Sequence, residues 1–279
     1  MQLTPRYGPD PVIVLQGRSS EVAAPAVAQR RRLVGIVESF GDDEWNHPSR
    51  CEGWTNRDVV SHLDSTNGFW GFSIRAGLEG EPTRFLETFD PVATPAELVA
   101  AQRDVPNAEL LESFRLSSER LTKLIDDLGE SDWSELAEAP PGHLTISAVV
   151  HHALWDSWVH ERDMLLPLGE EPVVDPSEVA TALWYAAALS PAFATTRASA
   201  QSGSLGMTVT DPDLSLIASI DNRVTVRGVE SVDPGEVDLH LTGDGTELLE
   251  MLSMRRPIAQ PVPESAAWIL DGLAEVFDQ

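Results

Sequence analysis

Apolar side chains recur every third or fourth position through most of the first 168 residues, which is the spacing of amphipathic helices. Four helices are predicted on this pattern, at 19–40, from Thr55 to about residue 70, at 94–128 with a break at Pro106, and at 145–166. Thr55 and Asp58 have the spacing of a capping box. We therefore expect a four-helix bundle over 18–168, preceded by a proline- and glycine-containing arm at 1–17 that we expect to be irregular.

The pattern changes after the proline- and acid-rich stretch at 166–176, which marks the predicted domain boundary. Short alternating segments typical of strands follow at 207–210, 214–220, 223–226 and 237–241. Helices are predicted to begin at Asp175-Pro176 and to cover 245–254 and 264–277. Together these elements predict a smaller C-terminal α/β domain over 175–279, and an α+β fold for the whole chain.

Charge narrows the range of partners. The chain carries 19 basic and 45 acidic residues, a formal net charge of −26. Such a charge repels phosphate backbones and anionic lipid surfaces, so we expect a small-molecule partner and neither nucleic acid nor membrane. Residues 179–196 lack charged groups, but their threonine, serine and proline content predicts a buried helix and not a membrane span. The single cysteine, Cys51, and the lack of a basic leader favour the cytoplasm.

The segment HHALWDSWVH, residues 151–160, places three metal-binding groups on one helical stripe. His152, Asp156 and His160 are four residues apart and lie within an arc of about 80°. The β-carbons of such neighbours are about 5–6 Å apart, so two side chains can reach one ion at bond lengths of about 2.0–2.2 Å. One helix can therefore supply two ligands of a divalent metal.

A third ligand must come from another helix, and His62 lies on the apolar stripe of the second predicted helix. His62, Asp156 and His160 would form a two-histidine, one-carboxylate set with an open position, as catalytic metal sites have. His152 would remain nearby as a proton carrier, and Asp163, one turn further on, could orient the far nitrogen of His160. The same spacing also fits a plain ion pair, and His62 also fits an ordinary core histidine, so both readings stay open.

Arg255 and Arg256 stand outside this stripe, directly before Pro257. The pair could bind a substrate carboxylate, or it could interact with the last carbonyl groups of the preceding helix. The sequence has no GxxxxGK[ST], GxGxxG or GxSxG motif, which removes the commonest nucleotide-binding and serine-hydrolase readings.

Two segments carry a resemblance to a known family. PSRCEGWTNRDVVSHL, residues 48–63, and DSWVHERDML, residues 156–165, resemble signatures of the mycothiol-dependent maleylpyruvate isomerase family, a branch of the DinB-like metal-binding bundles. LHLTGDGTELLEMLSMRRP, residues 239–257, is similar to the C-terminal domain of that family. The resemblance implies a divalent metal, with zinc as the expected ion, on His62, Asp156 and His160, although the family more often has Glu where this chain has Asp156.

The resemblance also implies an enzyme that uses a low-molecular-weight thiol, mycothiol, as an isomerase of a cis-diacid such as maleylpyruvate or as a thiol S-transferase. The substrate would then be small, electrophilic and carboxylated, with His152 moving protons and Arg255 or Arg256 holding a substrate carboxylate. Two alternatives stay open on the residues alone. One is a thiol-independent, metal-dependent hydrolase or lyase that uses a metal-bound water, and the other is a binding protein that keeps the metal pocket without turnover.

Overall fold

The computed structural model describes residues 4–195 and 201–277 of the 279-residue chain. Its helices are α1 (Ala23–Glu38), α2 (Asp42–Asn46), α3 (Asn56–Leu78), α4 (Ala93–Ala101), α5 (Asn107–Asp126), α6 (Ile146–Leu165), α7 (Pro176–Ala194), α8 (Gly245–Leu252) and α9 (Trp268–Phe277). Its strands are β1 (Ile13–Leu15), β2 (Leu136–Ala139), β3 (Gly142–Thr145), β4 (Gly203–Thr210), β5 (Asp213–Ile220), β6 (Val224–Gly228) and β7 (Leu239–Gly243). A helical N-terminal part followed by a sheet with helices confirms the predicted α+β class.

Helices α1, α3, α5 and α6 form the N-terminal bundle, in which each packs against two of the others. The predicted start of α3 is confirmed by its cap. The Thr55 hydroxyl accepts from the Asp58 N–H, and the Asp58 carboxylate accepts from the Thr55 N–H at 2.9 Å. Thr145 caps α6 in the same position. Caps of this kind each contribute about 1 kcal/mol and place the first turn of a helix, so they determine where the side chains of α3 and α6 point.

The N-terminal arm contributes a strand that the hydrophobic pattern does not predict. Ile13–Leu15 pairs in parallel with β6, with Ile13 opposite Val224. The prediction that residues 1–17 are irregular is therefore wrong for β1. A run of three residues is too short to show a period, whereas pairing with β6 buries Ile13 completely.

The C-terminal sheet has the strand order β1-β6-β5-β4-β7. Strands β4, β5 and β6 are antiparallel neighbours, while β1 and β7 extend the two edges in parallel. The four predicted C-terminal strands are confirmed with their ends shifted by a few residues. The hairpin of β2 and β3 was not predicted; it lies directly before α6 and packs against α3.

Helix α7 joins the bundle to the sheet, because it packs against α6 as well as β5, β6 and α9. One continuous cluster of buried apolar residues includes Trp158 of α6, Tyr185 of α7 and Leu205 of β4. Gly272 of α9 lies directly against α7, since a Cβ added there would stand 2.1 Å from the Ser190 carbonyl oxygen. The division into units at 18–168 and 175–279 stays a prediction, since the two share this core.

The uncharged segment at 179–196 forms the buried part of α7 as far as Ala194, while residue 196 lies outside the described residues. Among the helices of the described ranges, none is both long enough and apolar enough to cross a membrane.

Candidate metal centre

Helices α3 and α6 lie side by side in opposite directions, as two ring contacts show. The rings of His62 and His160 have centroids 5.0 Å apart, and those of Trp70 and His152 are 4.7 Å apart. Rising residue numbers on α3 therefore meet falling numbers on α6. The stripe that carries His152, Asp156 and His160 faces α3, and its last member lies opposite His62.

The three predicted ligands converge in this structure. Asp156 Oδ1 lies 3.8 Å from His62 Nε2 and 3.6 Å from His160 Nε2, and one ligand atom from each residue lies within 4.8 Å of the others. These separations are too long for hydrogen bonds. Atoms that share one tetrahedral ion at about 2.0–2.2 Å stand roughly 3.4 Å apart, so the two contacts to Asp156 have nearly the spacing that a shared ion requires.

The surroundings of the second carboxylate oxygen of Asp156 show whether these residues fit a cation. Asp156 Oδ2 is buried and accepts no hydrogen bond from the described residues. A buried carboxylate oxygen is destabilising unless a cation or a donor balances it. Burial alone would raise the pKa of Asp156, but the imidazoles of His62 and His160 outweigh it and hold the pKa well below its usual range. A charged carboxylate flanked by two imidazoles is a donor set that suits a divalent ion such as zinc.

The other nitrogen of His160 contacts Asp163, as the sequence spacing suggested. His160 Nδ1 lies 3.0 Å from Asp163 Oδ2. Because an ionised carboxylate can only accept, the ring donates its Nδ1 proton to Asp163, and Nε2 is the nitrogen that faces Asp156. Carboxylates in this position fix the tautomer and the orientation of metal-binding histidines.

Asp163 is fully buried and is held by two guanidinium groups. Arg50 Nε donates to it at 3.0 Å, and Arg255 donates to it with Nε at 2.9 Å and Nη2 at 2.8 Å. Burial would raise the pKa of Asp163, but the hydrogen bonds from His160 and Arg255 outweigh it, so the pKa lies well below its usual range. Asp163 therefore stays charged and can hold the proton of His160.

Sequence reasoning missed Arg50 and the position of Cys51. Cys51 Sγ lies 3.3 Å from Asp163 Oδ2 and 3.7 Å from His160 Nδ1, so by distance these three side chains form a second group that could hold an ion. The two arginines that already neutralise Asp163 disfavour a cation there. The segment at 48–63, which carries the family resemblance, was the sequence feature that could have indicated both residues. Its loop lies against α6, and the Arg50 backbone N–H donates to the Asp163 backbone carbonyl.

The structure brings Arg255 into this network and leaves Arg256 at the surface. Besides its bonds to Asp163, Arg255 Nη2 lies 3.7 Å from Cys51 Sγ. Arg256 is exposed and pairs with Glu247 at 3.1 Å. Binding of substrate by either arginine stays a prediction.

His152 lies beside the cluster in a different environment. Only 5% of the residue is exposed, and the rings of Trp70, Trp155 and Tyr185 surround it at centroid distances of 4.7, 5.4 and 5.1 Å. Its Nδ1 lies 2.6 Å from the Tyr185 hydroxyl. Burial lowers the pKa of His152 to about 4, so the imidazole is neutral at neutral pH.

Comparison with known proteins agrees with the fold. A crystal structure of the mycothiol-dependent maleylpyruvate isomerase matches with a TM-score of 0.59 and 15% sequence identity, covering 87% of this chain and 95% of that one. A crystal structure of a histidine-to-alanine mutant of that isomerase matches with the same values. At this identity the likeness shows the fold.

A search of curated proteins gives no match. The family described as the mycothiol maleylpyruvate isomerase N-terminal domain matches residues 26–165, half of the chain, which include α3, α5, α6, most of α1 and all three candidate ligands. The chain therefore belongs to the mycothiol maleylpyruvate isomerase N-terminal domain family.

Proposed function

We propose that this protein is a metal- and thiol-dependent enzyme, an isomerase or S-transferase that acts on a small, electrophilic, carboxylated substrate. The observation that carries the proposal is the convergence of His62, Asp156 and His160, with Asp156 Oδ2 buried and unpartnered among the described residues. Family membership supports mycothiol as the thiol and a cis-diacid such as maleylpyruvate as the substrate. The single cysteine supports the cytoplasm as the compartment.

The donor set favours a catalytic site over a closed structural one. Three protein ligands leave a fourth tetrahedral position of a zinc-type ion for an exogenous group. When bound, a divalent cation would favour the deprotonated form of a thiol at neutral pH and so supply a sulfur nucleophile. Asp163 keeps His160 in the tautomer whose Nε2 can act as a ligand, and Arg50 and Arg255 keep Asp163 charged.

The proposed isomerisation needs no net change of atoms. The thiolate sulfur forms a bond to one alkene carbon of the substrate, and the π electrons move towards the conjugated carbonyl oxygen. Rotation follows about what has become a single bond. The electrons then re-form the double bond as the carbon–sulfur bond breaks, which returns the thiolate and the trans product. An S-transferase would instead release the adduct after the enolate carbon has taken up a proton from water.

Two arginines are candidates to hold a substrate carboxylate. Arg255 donates to Asp163 through Nε and Nη2. Its Nη1 is not used in this contact and is the nitrogen that we expect to donate to a substrate carboxylate. Arg256 pairs with Glu247 at the surface, and exposed ion pairs are weak enough to be exchanged for a substrate. Guanidinium groups suit this role because they recognise carboxylates through two parallel hydrogen bonds.

The test is turnover of maleylpyruvate by the purified full chain, with and without mycothiol, followed by product analysis. Mycothiol-dependent formation of the trans isomer, or of a stable thiol adduct, supports the proposal. The His62→Ala variant should lose this activity, and the His240→Ala variant, altered in β7, should keep it. Turnover without thiol would favour a metal-dependent hydrolase or lyase. Metal-dependent binding of the substrate without product would favour a binding protein.

A further inference from the structure

The hydrogen bond between His152 and Tyr185 decides which ring nitrogen of His152 carries the proton. Within the described part of the chain, the hydrogen-bond partner of the fully buried Tyr185 hydroxyl is His152 Nδ1 at 2.6 Å. If Nδ1 were the donor, the tyrosine proton would be buried without an acceptor, which is unfavourable. If the hydroxyl donates, both groups are satisfied.

Donation by Tyr185 places the imidazole proton on Nε2. A neutral imidazole has one N–H and one acceptor nitrogen, and here Nδ1 is the acceptor. Burial keeps the ring neutral, since it lowers the pKa of His152 to about 4. The Nε2–H lies on the opposite side of the ring from the bond to Tyr185, so it points away from that residue.

A second buried donor adjoins the same ring. Trp70 is 2% exposed, and its indole N–H has no acceptor among the described residues. Its ring centroid lies 4.7 Å from that of His152. The nearest carboxylate on the stripe, Asp156, does not satisfy these donors, because its Oδ2 is also without a partner in the described ranges and its Oδ1 faces His62 and His160. His152 lies one helical turn from Asp156 of the metal cluster, so its N–H is placed to donate to an oxygen atom of a ligand bound there.

We propose that Tyr185 is a positioning residue, which holds His152 as the Nε2–H tautomer so that His152 donates a hydrogen bond to a carbonyl or carboxylate oxygen of the substrate. This inference rests on the proposed function, in which a conjugated oxygen gains negative charge as the sulfur adds. A fixed N–H donor stabilises such an oxygen more strongly as its charge develops. A neutral histidine then acts as an electrophile, which replaces the proton transfer expected from the sequence.

The tautomer of His152 can be measured on the protein without any substrate. The full chain, labelled with ¹⁵N in its histidines, is examined at neutral pH by long-range ¹H–¹⁵N NMR, and the His152→Gln variant identifies the His152 signals. We expect a protonated Nε2 and an unprotonated Nδ1 in the wild type. In Tyr185→Phe we expect a mixture of both tautomers. The matched control is Tyr7→Phe, which removes the same hydroxyl from a bond to Glu138 and should leave the His152 signals unchanged.

The outcomes separate this inference from the proposed function. A wild-type His152 protonated on Nδ1, or an unchanged tautomer in Tyr185→Phe, would overturn the positioning role whatever the activity. If turnover is found, Tyr185→Phe should lower kcat about 2-fold, because a mixture of tautomers leaves roughly half of the molecules with the Nε2–H donor, and the metal content should be unchanged. An unaltered kcat would overturn the role in catalysis even with the tautomer as expected. The absence of turnover in the wild type would contradict the proposed function and with it the role in catalysis, while the tautomer measurement would still decide whether Tyr185 positions His152.

Discussion

His160 donates its Nδ1 proton to Asp163 across 3.0 Å, while Nε2 of the same ring lies 3.6 Å from Asp156. One imidazole thus connects a buried carboxylate, held by guanidinium groups, to the candidate ion position. Helix α6 of the bundle supplies both carboxylates that His160 faces, and the C-terminal part supplies Arg255, which donates to Asp163. The candidate metal centre therefore depends on contacts between the two parts of the chain.

Removing the charge of Asp163 tests this relationship. We expect Asp163→Asn to weaken metal binding by roughly 10- to 100-fold, because the amide no longer fixes the tautomer of His160. Competition of the purified variant with a coloured chelator measures the affinity. The control is Asp126→Asn, whose exposed carboxylate pairs with Arg31 and should not affect the metal. An affinity equal to that of the wild type would rule out the orienting role.

Each histidine ligand has a direct test. We expect His62→Ala and His160→Ala to lose most of the bound metal and to remain helical by circular dichroism, because the caps and the apolar core of the bundle are unchanged. His240→Ala, which removes a ring bonded to Thr208 at 2.9 Å, should keep the metal. Full metal content in both ligand variants would refute the assignment.

Two substitutions of Asp156 separate the effect of its negative charge from the effect of its side-chain length. Asp156→Asn should weaken metal binding by roughly 10-fold or more, since loss of a ligand's charge has at least the effect of losing a supporting residue. Asp156→Glu should retain the metal, because the longer side chain keeps the charge and reaches further along the same stripe. Equal affinity in the Asn variant, measured with the same chelator, would show that Asp156 is not a ligand.

His152 should affect turnover and leave the metal in place. We expect His152→Ala to retain its metal, because the ring bonds to Tyr185 and lies one helical turn from Asp156. Its kcat should fall roughly 5-fold or more, as expected for the loss of a hydrogen bond worth about 1 kcal/mol. Elemental analysis and steady-state kinetics of the same preparation measure both effects. Loss of the metal would instead identify His152 as a ligand.

A buried histidine outside the site predicts how stability changes with pH. Burial lowers the pKa of His151 from 6.5 to about 4. Between these pH values the unfolded chain binds more protons than the folded one, so the free energy of unfolding should fall as the pH is lowered from 6.5 to 4. The full contribution of His151, reached below pH 4, is about 3–4 kcal/mol, at about 1.4 kcal/mol for each unit of its shift from 6.5 to about 4.

Urea unfolding of the wild type and of His151→Leu at pH 7 and pH 5 measures this contribution. The variant, which has no group to protonate at this position, should lose less stability than the wild type between the two pH values. A parallel decline in both proteins would contradict the prediction.

The parts of the site that share a helix could be predicted from the sequence. His152, Asp156 and His160 recur at the helical period, and the Thr55 cap sets the start of the helix that carries His62. Pairing His62 with the stripe required the further assumption that α3 and α6 are neighbours. The ring contact between His62 and His160 confirms that assumption.

The supporting residues could not be predicted because they come from distant segments without a period. Arg50 lies in a loop and Arg255 follows α8, so no repeat connects either of them to Asp163. Tyr185 lies on α7, which is buried on all sides, and a helix without a polar face does not indicate which residue meets a site. Strand β1 was missed for a related reason, since its partner strand lies more than two hundred residues away in the sequence.

Metal analysis of the purified native chain by inductively coupled plasma mass spectrometry decides whether His62, Asp156 and His160 hold an ion. We expect about one divalent ion per chain, with zinc as the element, and its loss in both His62→Ala and His160→Ala. A native chain that neither contains a divalent ion nor binds one on addition of zinc would contradict this expectation.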